Sequence, residues 1–142
     1  MLSALAFFVT WSWKIIAGKE RQTMVTIDIF RTLALSFPEA TEEPHFEKTS
    51  FRVRKKIFAT YDAKNDLACL KLSETDQDVF SSADKTIIYP VRNKWGKQGW
   101  TLVELRHMHP DLFRDALTTA YCQVAPKKCS DMVRSEKDGE AV

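Results

Sequence analysis

Apolar residues first recur at helical spacing from Ile27. Ile27, Phe30, Ala34 and Phe37 share one stripe, Thr26 precedes them as an N-cap, and Pro38 stops the pattern. The spacing predicts a helix over 27–36 with that stripe in the core. From Pro38 to Lys48 the chain is polar and acidic with two prolines, and it reads as a loop. Period-two alternation then takes over in three short runs: Thr49 to Val53, Ile57 to Tyr61 and Leu67 to Leu72. In the last, Leu67, Cys69 and Lys71 face one way and Ala68, Leu70 and Leu72 the other. Ser73 then caps a short helix ending near Asp84, with Val79 and Phe80 as its anchors and acids in its first turn. A β-branched run from Thr86 to Val91 contains Pro90, which places it at a sheet edge. Arg92 to Gly99 reads as a basic loop, and Trp100 to Leu105 alternates again, with Trp100 expected in the core. Pro110 opens a final helix whose Phe113, Ala116, Leu117, Ala120 and Tyr121 form one buried face, and Pro126 ends it. The turns between strands are too short for parallel crossovers, so the strands form an antiparallel meander. The expected fold class is α+β: a two-layer domain with an antiparallel sheet, terminal helices packed on one face, and the other face open.

The two ends of the chain read differently. Leu2 to Trp13 is a 12-residue, nearly unbroken apolar run, shorter than the roughly 20 residues of a membrane span. Its basic residues follow rather than precede it, unlike a secretory signal. Met24 opens a natural chain start, so residues 1–23 read as an N-terminal extension from a mis-assigned start, with an anchor the lesser alternative. The domain is then expected over 24–126, and 127–142 as a mobile charged tail.

Apolar residues make up 44% of the 142 and aromatic residues 11%, enough for a core without disulfides or metals. The three cysteines are widely spaced and odd in number, so no disulfide framework or zinc knuckle is expected, and a reducing cytoplasm fits best. The net charge is +2, but residues 24–142 carry 18 charges of each sign. Within them, residues 24–47 hold one base against five acids, whereas 48–106 hold 12 bases against seven acids. A neutral domain lacks the general excess of a dedicated nucleic-acid binder, yet its basic middle can form a local face.

Two basic turns carry that middle: Arg52, Arg54, Lys55 and Lys56 at one, Arg92, Lys94, Trp95 and Lys97 at the other. Their cations can neutralise phosphates, and Trp95 can stack on an unpaired base. Set against this, lysines also solubilise hairpin turns and blunt sheet edges. His107 and His109 lack a third metal ligand at a usual spacing and read as linker and N-cap. Glu39, Glu42, Glu43 and Glu47 read as a solvated loop, and Cys69 and Cys122 as small apolar fillers. There is no serine elbow, phosphate-cradling glycine loop or HExxH run, so the chain reads as non-enzymatic, with no cofactor or metal expected.

Several stretches together resemble the MmcQ/YjbR family of small bacterial proteins. They are Leu35-Ser36-Phe37-Pro38-Glu39-Ala40-Thr41-Glu42-Glu43, Phe51-Arg52-Val53 with Lys56-Ile57-Phe58-Ala59, and Cys69-Leu70-Lys71-Leu72. The last is Trp95-Gly96-Lys97 with Gly99-Trp100-Thr101-Leu102-Val103, before the helix ending in Ala120-Tyr121. The resemblance spans roughly 24–126. It implies a CyaY-like (frataxin-like) fold and a DNA-binding label that comes from a proposed double-wing arrangement of strands. The expected function is weak nucleic-acid binding through the two basic turns. The alternative is a protein–protein or small-ligand module using the open sheet face and Trp95. No membrane partner is expected.

Overall fold

The computed structural model describes residues 24–141, with side chains to residue 136; the reading of residues 1–23 as an extension lies outside the described residues. In chain order the elements are α1 (Ile27–Leu35), β1 (Ala40–His45), β2 (Lys48–Val53), β3 (Lys56–Asp62), β4 (Leu67–Lys71), α2 (Glu74–Ser81), β5 (Ile88–Pro90), the single-turn α3 (Lys94–Lys97), β6 (Trp100–Glu104), α4 (Pro110–Val124) and α5 (Lys127–Ala141). A 3₁₀ turn, Leu105–His107, joins β6 to α4. The strands make one antiparallel sheet in the order β1-β2-β3-β4-β6-β5.

Helices α1 and α4 cover one face, as the patterning requires. Phe30 of α1 lies 4.8 Å from the Phe51 ring and 4.9 Å from that of Phe113. Tyr121 stacks on Phe37 at 4.6 Å, and its hydroxyl donates to the Pro38 carbonyl at 2.6 Å. A bulge sharpens this packing. Phe51 pairs with Ala59 but Arg52 with Ile57, leaving Phe58 as an extra residue, so Phe58 and Ala59 are both fully buried despite being neighbours. Each fully buried large side chain contributes about 1.5–3 kcal/mol.

Four expectations change. The acidic stretch after Pro38 is a strand, β1, rather than a loop. It is exposed along most of its length, and only its ladder with β2 makes it regular. Pro44 fits there because β1 is an edge. The charged tail, read as mobile, carries helix α5, which buries Cys129, Ser130 and Val133. The basic loop after β5 contains a helical turn capped by Asn93. Finally, Trp100 is half-buried on the face opposite α1 and α4, outside the core. Among the described residues no helix is long and apolar enough to cross a membrane.

Candidate binding face and its basic end

Residues opposite one another in an antiparallel ladder point to the same face. The row Thr60, Cys69, Leu102, Tyr89 therefore faces away from the helices, while the row Tyr61, Ala68, Val103, Ile88 faces them. Alternation adds Leu67 to the outer face, and the bulge returns Ile57 to it. These side chains floor a concavity of about 530 Å³, with His45 and Lys48 at one rim and Val91, Trp95 and Trp100 at the other. Its floor is mostly apolar although it faces solvent. Burial pushes the Cys69 thiol up to about 11, so it is a neutral wall at physiological pH rather than a nucleophile. Beside His45, at the β1–β2 tip, Phe46 is 94% exposed with φ +59°.

The Trp95 rim is held from beneath. Gln77, buried on α2, donates to the Gly96 carbonyl at 3.0 Å, the Trp100 carbonyl at 3.3 Å and the Thr101 hydroxyl at 3.0 Å. Gly96 lies so close to Val91 that a Cβ would sit 1.9 Å from its carbonyl oxygen. Trp95 itself is 48% exposed, and the Lys94 ammonium lies 5.6 Å from its ring centre.

Both basic turns project from the same end of the sheet. The β2–β3 turn lies where β4 ends, and Lys71, closing β4, pairs with Trp100, opening β6 just after α3. They are separated by two strand spacings, roughly 10 Å. Arg54 and Lys55 both take positive φ, +48° and +71°, as a two-residue hairpin turn requires. Two of the cations expected to be free are paired. Arg54 grips Glu39 through two contacts of 3.2 Å, which, with the Cys129 thiol donating at 3.0 Å, holds the Glu39 carboxyl below the usual carboxylate range. Arg52 donates to the Ser50 hydroxyl at 2.9 Å and lies 3.9 Å from Glu43. Lys55, Lys56, Arg92 and Lys97 have no ion pair among the described residues, and Lys71 donates to the Gln98 carbonyl. The opposite end carries both signs, with Lys48, Lys64 and Arg106 beside its carboxylates. Asp62 accepts from Asn65 and Lys64, which lowers its pKa; Asp66 meets Arg106 at 3.4 Å; Glu104 accepts from the Tyr89 hydroxyl and, with burial, pushes it up to about 12.

Other sequence candidates separate. His109 caps α4 by accepting from the Asp111 amide at 3.1 Å. No group of three or more His, Cys, Asp or Glu among the described residues is placed to hold a metal. Of the eight basic-turn residues, only Trp95 lines the concavity. Sequence reasoning passed over His45, Lys48, Ile57, Leu67 and Leu102 as part of a site. The available signal was an outward-facing row, Ile57, Leu67, Cys69, Trp100 and Leu102, that stays apolar where solvent favours polar residues.

The family model described as YjbR matches residues 35–123. The fold is similar to the crystal structure of Deinococcus radiodurans protein DR2400, assigned to family-model domain DUF419. The TM-score is 0.63 at 22% identity, over 72% of this chain and 80% of that one. No curated protein matches the chain.

Proposed function

The chain belongs to the YjbR family, and on that premise we propose that it is a non-enzymatic binding module whose ligand lies on the open sheet face against Trp95 and Trp100. One observation carries the reading: an apolar concavity of about 530 Å³ on a face no helix covers among the described residues. Ligand pockets typically measure about 300–1,000 Å³, with apolar walls and few polar groups. Six hydrogen-bonded strands and the Gln77 contacts keep this surface preformed. Protein-observed ¹⁵N NMR with a library of small ring compounds tests it. Shifts are expected to gather at Thr60, Cys69 and Leu102 and at the Trp95 and Trp100 indoles. Hits that gather on α1, α4 and α5 instead reject it.

A second reading, weak nucleic-acid binding, is favoured by the shared end of the two basic turns. The Arg54–Lys55 turn adds support: Asn-Gly suits such a turn best, so the chain keeps two cations where they cost conformational energy. Anisotropy titration of a labelled single-stranded oligonucleotide at low salt checks this. Binding is expected to weaken steeply with salt and to fall with Lys56→Glu plus Lys97→Glu. Indifference to both substitutions sinks this reading and leaves the open-face reading untouched.

A further inference from the structure

We propose that the occupant of the open-face concavity is a small amphipathic organic anion, its apolar body over Cys69 and Leu102 and its acidic group toward Lys48. The proposal rests on the open-face reading and gives its ligand a chemical class.

Three observations select that class. None of the residues lining the concavity is a carboxylate, whereas Lys48 and His45 are among them. An apolar floor with basic groups at its margin desolvates an apolar body readily and leaves a cation in need of a counter-charge. Next, Lys48 makes no ion pair among the described residues, and its charge acts on the Cys69 thiol of the floor, so an acidic group beside it meets a cation over an apolar surface. Third, a cationic ligand is disfavoured. The natural seat for an organic cation is the face of Trp95, and Lys94 already lies there, 5.6 Å from the ring centre.

The experiment compares 2-naphthoate with 2-naphthamide, which share a ring system and differ in charge, on the full chain by ¹⁵N NMR. Naphthoate is expected to shift Thr60, Cys69 and Leu102 together with Lys48, and to bind at least about threefold more tightly than the amide, the scale of one partly exposed charge pair. Lys48→Gln, at an exposed side chain whose loss spares the fold, is expected to erase that preference while leaving amide binding unchanged. Equal affinity of acid and amide, with shifts on the face, overturns the anionic class and leaves the open-face reading standing. If neither ring compound shifts the face, both fall. If an oligonucleotide displaces naphthoate and shifts Cys69 and Leu102 more tightly than it does, the face belongs to nucleic acid and the small-ligand class is overturned.

Discussion

Gly99 has φ +100°, and a Cβ there would fall 1.7 Å from the Leu72 carbonyl oxygen. Gly99→Ala is therefore expected to cost at least about 1–3 kcal/mol from backbone strain alone, read as a lowered thermal midpoint. Gln77→Ala removes three donated contacts from a buried amide. It is expected to cost about 1–3 kcal/mol and to shift the emission of Trp95 and Trp100 as their rim loosens. Lys55→Gly works in the opposite direction. It relieves a φ of +71°, so stability should rise by about 1 kcal/mol; under the nucleic-acid reading the same change weakens oligonucleotide binding. The Cys69 thiol gives a pH dependence. Its pKa is raised by burial from 9.0 to about 11, so the unfolded chain ionises first. The stability this contributes is complete below about pH 9 and lost as pH rises to about 11. Peptide mapping after iodoacetamide should accordingly find Cys69 almost unmodified at neutral pH. None of these partnerships can be read from residue identity: Gly99 and Gln77 looked like ordinary loop and helix residues, because the groups they meet are distant in sequence.

Strongly periodic elements were legible: α1, α4 and the strands β2, β3, β4 and β6 fall where their apolar repeats place them. Two elements besides the single-turn α3 were not. β1 is polar on both sides, with two glutamates and a proline in its last four residues, and it becomes a strand only through its partner β2. α5 shows so little apolar content that its burial of Cys129 and Val133 is invisible in the pattern. Deleting residues 127–142 exposes that seam. The expected result is loss of helical circular dichroism and of roughly 3–6 kcal/mol, two buried apolar side chains at about 1.5–3 each; an unchanged thermal midpoint would show that α5 does not dock. Its attachment has a pH signature too. Glu39, held below its ordinary pKa by Arg54 and then by Cys129, stabilises the docked helix at neutral pH. That contribution disappears as pH falls through the lowered value. Hydrogen exchange should then rise in α5 before the central strands.

Across the whole molecule, helices cover one sheet face and leave the other open among the described residues. The covered face holds the aromatic core, and the open face holds an apolar floor with His45 and Lys48 at one rim and Trp95 and Trp100 at the other. The sequence, through its period-two strands, already determined that Leu67 and Cys69 share one face of their strand and Trp100 and Leu102 one face of theirs, because alternation follows from backbone geometry; the pairing of β4 with β6 then put the two pairs on the same side. It likewise determined the helix stripes and the presence of two basic turns. Only the tertiary structure decided which of the two sheet faces the helices would cover, since both contain apolar residues and packing volume chooses between them. It also decided which cations remain free. Arg54 meets Glu39 15 residues away and Arg52 lies near Glu43, whereas Lys56 and Lys97 make no ion pair among the described residues. Charge type is a local property of a side chain, but charge pairing depends on through-space distance, and the order of strands in the sheet sets that distance.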